Sequence, residues 1–553
     1  MPEVDLRGLM AGAARLAGRA GDEAHFAAAC MRAGMVGLEP PQRIAQMALA
    51  FQRHGMLAAL VTVGAVRNGD RVAIRDERGE TTYAELDQHT NALANAWRAR
   101  GLRAGDGVAI LVRNHRGFLE AMFAAAKCGA RIVLLNTSFA GPQIRDVAER
   151  EGADLLVYDE EYAGVVQAVN PRHGRWRAWV DDAEPEGADP TLASLIDGAP
   201  TGTVPKPASA PRIVILTSGT TGTPKGAPRS EPRSLGLIGG LLGMVPFRAR
   251  ETTELPVPLF HALGLTSMAL GLALGSTLVL RRRFDPAQTL DSLRDNDATA
   301  IVVVPVMLSR ILDLGEDEIR ARGLSRLRVI FVSGSALGSD LARRAMAAFG
   351  PVIYDMYGST EVAYATIATP DDMRQEPGTV GTVVRGVIVK ILDEHGREVP
   401  PGVTGRIFVA NSAQFEGYTG GETKEQIGGL MSSGDVGHFS PHGRLFVDGR
   451  DDEMIVSGGE NVFPAEVEEL LASHDGVREA AVIGVADERF GQRLKAFVAL
   501  NDGTTLSEDE VKDYVRENLA RYKVPREVVF LDELPRNATG KVLKRELAAS
   551  ESG

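Results

Sequence analysis

Residues 216–226 read LTSGTTGTPKG, and no other stretch restricts the architecture of this chain as much. Three glycines and four threonines surround one lysine. The run Ile213-Val214-Ile215-Leu216 just before them has the apolar pattern of a buried strand at its end. Glycine lets the backbone fold its amides around an anion, hydroxyls add donors, and Lys225 adds a point charge. A strand delivering such a loop predicts a phosphate cradle made by Thr217, Ser218, Gly219, Thr220, Thr221, Gly222 and Lys225. Its spacing departs from G-x-x-x-x-G-K-[ST], so it is not the common nucleotide loop. Composition alone also allows a flexible surface loop here.

At 553 residues the chain exceeds what one core supports, and two to four domains are expected. A net charge of −12 argues against a general nucleic-acid binder, so positive charge must be concentrated wherever phosphates bind. Cys30 and Cys128 are the only cysteines, too few for a disulfide framework or a cysteine metal site. They read as buried thiols in a reducing, cytoplasmic setting. The N-terminus lacks the basic start and clean apolar run of a signal peptide. Residues 234–247 and 266–280 are apolar but glycine-interrupted, and shorter than the ~20 residues that cross a bilayer. No transmembrane segment is expected, and both stretches belong in a core.

Three parts are visible along the chain. Residues 1–66 are alanine-rich with helical spacing and read either as a helical extension packed on the body or as a partly ordered tail. Met47, Leu49, Phe51 and residues 57–61 give the extension apolar surface to bury. Residues 67–451 begin with strand and helix in alternation. The runs 108–112, 131–135, 155–158, 213–216, 300–304 and 329–332 are short strands, and 117–127 is an amphipathic helix. That alternation predicts an α/β fold with parallel-rich sheets covered by helices. After about residue 377 a smaller β-rich portion follows, with strands at 387–392 and 405–409. Residues 452–553 form a small, mobile α+β domain, with helices at 464–472 and from a Ser507/Glu510 capping box to about 519.

Further motifs stand in fixed order with the loop. Pro258-Leu259-Phe260-His261, Ser333-Gly334-Ser335-Ala336-Leu337, Tyr357-Gly358-Ser359-Thr360-Glu361 and Ser433-Gly434-Asp435 lie in the large part. Gly449-Arg450-Asp451-Asp452, Ser457-Gly458-Gly459-Glu460-Asn461 and Pro535-Arg536-Asn537-Ala538-Thr539-Gly540-Lys541 continue to the end. From about residue 70 onward the chain resembles the acyl-adenylate-forming enzymes, and within them the AMP-forming acyl-CoA synthetases. The resemblance implies ATP, Mg²⁺ and coenzyme A as cofactors and a carboxylic acid, a fatty acid in first place, as substrate. It implies no nucleic-acid partner, and it is compatible with peripheral membrane contact and with a homodimer.

The resemblance also assigns roles. The cradle and Lys225 hold the β- and γ-phosphates, while Thr217 and Glu361 hold the metal ion. Gly334, Ser335 and Ala336 flank the adenine, and Tyr357, Gly358, Ser359 and Thr360 also bind the cofactor. Asp435 and Arg450 take the ribose. Lys541 is the catalytic cation for adenylate formation, supported by Lys225 and Glu361. His261 gates or orients the acyl carboxylate. It is not a general base, because a carboxylate is already ionised at neutral pH. Asp452 is the hinge that exchanges Lys541 for Ser457, Gly458 and Gly459 beside a pantetheine tunnel. Leu216, Gly405-Arg406, Pro228-Arg229-Ser230 and Gly417-Tyr418-Thr419-Gly420 depart from the family pattern and bear on substrate geometry. The reaction so read is acid plus ATP to acyl-AMP and pyrophosphate, then transfer to CoA. Two other readings stay open: delivery of the acyl group to a carrier protein, and a silent nucleotide-binding regulator on the same fold.

Overall fold

Short β-branched runs separated by helices become parallel strands, because crossover helices return the chain to the same sheet edge and cover its faces. The computed structural model describes residues 21–549 apart from 182–188, 218–224, 230–235, 360, 413–422, 452, 458–459, 488–490 and 538–539. Among the described residues one sheet runs Arg175–Trp179, Ala153–Asp159, Gly107–Leu111, Arg131–Leu134, Arg212–Thr217, Lys225–Arg229. Its neighbours are parallel except the last pair, a hairpin. A second sheet has a parallel centre of Val72–Asp76, Thr277–Val279, Thr252–Glu254, Ala300–Val303, Val329–Val332 and Ile353–Ser359. Antiparallel strands, among them Ala363–Ala368, close its two edges. The helix Arg116–Lys127 contacts strands of both sheets and is buried from Gly117 to Lys127. It therefore belongs to the core between the sheets.

The β-rich portion is an antiparallel sheet of Ile388–Leu392, Gly405–Ala410, Leu430–Phe439 and Leu445–Arg450 with a short strand Gln426–Ile427. The last part has its own core, in which Val467, Leu471, Val511 and Val515 of two helices pack on Val482 and Val498. Ser507 caps the second helix reciprocally with Glu510, as the capping box predicts. Cys30 and Cys128 are free and buried, and burial raises both thiols above their usual range.

The N-terminal part is helical, and it differs from its sequence reading in which residues it buries. Residues 21–32 are helical and sit on the helix Gly236–Met244. A Cβ on Gly239 would lie only 2.4 Å from Phe26 Cβ, so that glycine sets the approach distance. The Ala249 N–H donates to Ala33 O at 2.7 Å, and Asp22 pairs with Arg385 at 2.7 Å. The following helix, Pro41–Asn68, spans residues on either side of 66 and bends at Gly55, whose φ is 77°. Its second half buries Ala58, Ala59, Val61 and Gly64 against the helices Tyr83–Ala99 and Arg116–Lys127. Leu49 and Phe51, expected to be buried, are exposed instead. The positive-φ residue at Gly55 turns the first half of the helix, and Ile44, Leu49 and Phe51 stay exposed while Ala50 is buried. The helix is long and apolar enough to cross a membrane by length and composition, but its second half is core.

Candidate functional site

Strand pairing brings three of the sequence-predicted residues together. Asp435 and Arg450 are direct partners across Leu430–Phe439 and Leu445–Arg450. Arg450 Nη1 donates to Asp435 Oδ1 at 3.1 Å. Tyr357, on the end of Ile353–Ser359, donates its hydroxyl to Asp435 Oδ2 at 2.6 Å. The Asp435 N–H donates to Ser433 Oγ at 3.1 Å. Asp435 is 8% exposed. Burial pushes its carboxyl up, while the Arg450 charge and the tyrosine hydroxyl pull it back. The same burial and the facing carboxylate raise the Tyr357 phenol well above its usual range, so it stays a donor. The result is a fixed carboxylate already supplied with one cation and one hydroxyl, suited to accept hydrogen bonds from a diol.

Lys424 is a residue that sequence reading missed. A Cβ on Gly434 would lie 3.3 Å from both Lys424 Nζ and Arg450 Nη2, so two cations flank the residue before Asp435. A lone lysine in a polar stretch carries no signal of that placement.

A second grouping joins the last part to the large one. Asn537 and Lys541 close a tight turn in which the Asn537 N–H donates to Lys541 O and the Lys541 N–H to Asn537 Oδ1, both at 2.9 Å. Gly540 sits in this turn at φ 79°, where L side chains are strained. A Cβ there would lie 2.2 Å from Val306 Cγ1 and 3.6 Å from Val304 Cγ2. Val304 also touches the 333–337 loop, since a Cβ on Gly334 would lie 3.2 Å from its Cγ1. The Lys541 turn is therefore seated on the large part, one valine away from Gly334. Ser335 and Ala336 are exposed, and Ser333 anchors the loop by donating its hydroxyl to Met356 O at 2.8 Å. An exposed Arg310–Glu533 bridge and a Ser339 N–H bond to Glu469 join the parts elsewhere.

Glu361 is half-buried, and its carboxylate accepts from Ser359 Oγ at 2.9 Å. Gly358 pairs with Tyr364 in the adjacent strand. His261 precedes the helix Ala262–Leu274, with its Nε2 buried and without a hydrogen-bond partner among the described residues. Burial lowers its pKa to about 4, so the ring is neutral at physiological pH. Its ring stands 4.5 Å from that of Phe260. Thr217 and Lys225 are backbone partners at the loop end of the hairpin formed by Arg212–Thr217 and Lys225–Arg229. Ser457 pairs with Glu460 and Gly491 in the small sheet. Ser218, Gly219, Thr220, Thr221, Gly222, Thr360, Asp452, Gly458 and Gly459 lie outside the described residues, as do the side chains of Thr217, Lys225 and Ser457.

The AMP-binding enzyme family matches residues 61–419, and its C-terminal domain matches residues 466–541. The chain belongs to the AMP-binding enzymes. A feruloyl-CoA synthase of Amycolatopsis is 34% identical over 483 residues, covering 86% of this chain and 95% of that protein. An indoleacetate–CoA ligase of Aromatoleum aromaticum is 33% identical, covering 87% and 96%. A fatty acid–[acyl-carrier-protein] ligase, ScoC of Streptomyces coeruleorubidus, is 30% identical, covering 86% and 92%. Among solved structures, ATP-bound MatB from Rhodopseudomonas palustris superposes with a TM-score of 0.78 at 27% identity, covering 89% and 98%. This AMP-binding enzyme is accordingly an AMP-forming acid–thiol ligase that uses ATP and CoA. The large domain of parallel sheets and the smaller C-terminal domain match the adenylate-forming architecture expected from the motifs.

Proposed function

We propose that this ligase activates a monocarboxylic acid with an uncharged, apolar body, a fatty acid in first place, and transfers it to CoA through acyl-AMP. The observation that carries the nucleotide half is the Tyr357–Asp435–Arg450 cluster with the Lys541 turn held on Val304 and Val306 beside Gly334. In this reading Asp435 accepts from the ribose hydroxyls, Arg450 and Lys424 add positive potential, and the 333–337 loop flanks the base. Lys541 reaches the reacting phosphate from its turn and offsets charge as the carboxylate attacks. The cradle from Thr217 to Lys225 takes the outer phosphates.

Glu361 and the Thr217 hydroxyl would hold Mg²⁺. Among the described residues no group of three or more acidic, histidine or cysteine side chains is arranged so that it could hold a metal ion. That suits Mg²⁺, which commonly takes one or two protein oxygens and completes its shell with phosphates and water. The ion would supply charge neutralisation on the phosphates. For transfer, rotation about Asp452 would withdraw Lys541 and present Ser457, Gly458 and Gly459 to the pantetheine arm.

The reading of the acid rests on what its walls lack. Residues 236–247 and 259–272 contain no lysine or arginine, and His261 stays neutral. A second carboxylate on the substrate would find no cation from these segments. Pyrophosphate release and acyl-CoA formation measured against straight-chain fatty acids, aryl acids and dicarboxylic acids test this. Release with apolar acids, and thioester only when CoA is added, supports the reading. A preference for dicarboxylates overturns the acid assignment. Acid-dependent release that ends at acyl-AMP despite CoA would favour a carrier-protein acceptor. ATP binding with no acid-dependent release would leave a nucleotide-binding regulator.

A further inference from the structure

Residues 21–32 precede the segment that the AMP-binding family matches, yet they are built into the body of the molecule. Phe26, Ala29 and Cys30 are buried, Phe26 at 3% exposure. Their seat is the helix Gly236–Met244, reached through Gly239 and Gly243, which stand one turn apart on one face. A Cβ on Gly239 would lie 2.4 Å from Phe26 Cβ and 2.6 Å from its Cα, and one on Gly243 would lie 3.3 Å from His25 Nε2. The two helices therefore meet backbone to backbone at Gly239. A neighbouring face, at Gly240, is closed by other groups: a Cβ there would lie 2.8 Å from Val384 Cγ1 and 3.1 Å from the Tyr364 hydroxyl. That hydroxyl donates to Gly236 O at 3.0 Å. Phe26 completes the ring, since a Cβ on Gly386 would lie 2.8 Å from Phe26 Cζ, and Asp22 pairs with Arg385 at 2.7 Å. With glycine at three contact positions, the place of this helix is set by what is packed on it, Phe26 and Tyr364, more than by its own side chains.

That placement bears on the acid. Under the proposed function the carboxylate meets the nucleotide between the phosphate cradle and the 357–361 segment. The chain leaving the cradle continues through Lys225–Arg229 to the helix Gly236–Met244, and the chain leaving Glu361 enters the strand Ala363–Ala368, which carries Tyr364. The bond from Tyr364 to Gly236 joins the start of that strand to the first turn of that helix. An acid held by its carboxylate between cradle and segment has to lay its body along these two continuations. The helix is built only of Gly, Leu, Ile and Met. A wall of this kind selects by its position, and one methylene in an apolar pocket is worth about 10–200-fold in kcat/KM. We propose, resting on the apolar-acid activity put forward above, that Phe26 is a positioning residue for specificity. Wedged between Gly239 and Gly386, it fixes the wall helix Gly236–Met244 and so sets the longest acid that the ligase accepts.

The test is kcat/KM for acid-dependent pyrophosphate release by the full chain, over saturated fatty acids of increasing length, read as the ratio of a long acid to a short one. A ratio cancels any loss of folded protein. Phe26→Ala should relax the wall and raise the long-to-short ratio by about tenfold or more, within the worth of one methylene. Gly239→Ala, whose Cβ forces the two helices apart, should press the wall toward the acid and lower the ratio by about the same factor. Phe26→Leu should shift the ratio in the direction of Phe26→Ala by less, and it supplies the reading if Phe26→Ala does not fold. The KM for ATP should be unchanged in all three, because neither position stands among the nucleotide residues. Equal losses at every length, with the ratio unmoved, would make Phe26 a structural contact only and overturn the proposal. So would shifts of the same sign in Phe26→Ala and Gly239→Ala. Wild-type release with fatty acids beside an unmoved ratio leaves the proposed function standing and removes only the role of Phe26, whereas no release with any acid removes both.

Discussion

Asp435 and Lys541 sit in opposite kinds of surroundings. Asp435 is buried between two paired strands and holds a tyrosine and an arginine. Lys541 is exposed, on a short turn that reaches the large part through Gly540 and Val306. The first is costly to move, because displacing it would leave a buried carboxylate and its partners unpaired. The second is cheap to move, because an apolar touch and exposed polar contacts are weak ties. Under the proposed function, a seat for the nucleotide has to persist through both half-reactions, while a cation used in the first has to leave before the second. The two anchors differ as that division requires.

If the comparison holds, substitutions at the two sites should fail in different ways. The largest effect is expected for Lys541→Ala, a loss of about 10²–10³ in the rate of adenylate formation. Thermal stability and the conversion of synthetic acyl-AMP with CoA should be nearly unchanged. Pyrophosphate release within about tenfold of wild type would remove Lys541 from the chemistry.

Asp435→Asn should lose both stability and function. It removes the partner charge of Arg450, and hydrogen bonds to charged groups carry about 1.5–3 kcal/mol. An increase of about tenfold to a hundredfold in the ATP KM should accompany a lower Tm. A normal Tm with raised KM would show that the cluster is less over-determined than its burial implies.

Asp355 supplies a control for burial itself. It lies two residues before Tyr357 on the same strand, and desolvation pushes its carboxyl up to about 7. With the folded value raised, its contribution to stability is present below about pH 4 and is lost as pH rises through 7. Asp355→Asn should therefore leave stability unchanged at low pH and increase it by about 1–3 kcal/mol at pH 8. Denaturant melts at the two pH values read this directly, and equal gains at both would remove the titration from the account.

The smallest effect is expected at the seat of the Lys541 turn. Gly540→Ala places a Cβ 2.2 Å from Val306 Cγ1 at a φ of 79°. It should slow adenylate formation by several-fold to about tenfold through misplacement of the lysine, with thioester formation from acyl-AMP spared. Combining it with Val306→Ala should recover part of the loss, since that removes the clash and keeps the φ strain. A Gly540→Ala protein with wild-type adenylation would mean that the contact with Val306 does not position Lys541.

Much of this molecule can be read from local pattern. The β-branched runs at 213–216 and 329–332 and the capping box at Ser507 are settled within a few residues, because side-chain period and cap chemistry act over one turn or one strand. Asp435, Tyr357 and Arg450 are legible as family residues because each stands inside its own short motif. Lys424 is not, since its position depends on how a polar segment returns beside Gly434. The apolar residues of the N-terminal part misled for a related reason. Helical spacing says that Leu49 and Phe51 share a helix with Ala58 and Val61, but the turn at Gly55 decides which of them reach the core.

By itself the sequence determined the alternation of strands and helices and, through its ordered short motifs, the family to which the chain belongs. These follow from interactions between near neighbours in the chain. The tertiary structure alone decided that Val304 lies between the Gly334 loop and the Lys541 turn, that Asp435 meets Tyr357, and that Leu49 and Phe51 stay exposed. Each joins segments distant in sequence, and only packing of the finished cores sets those distances.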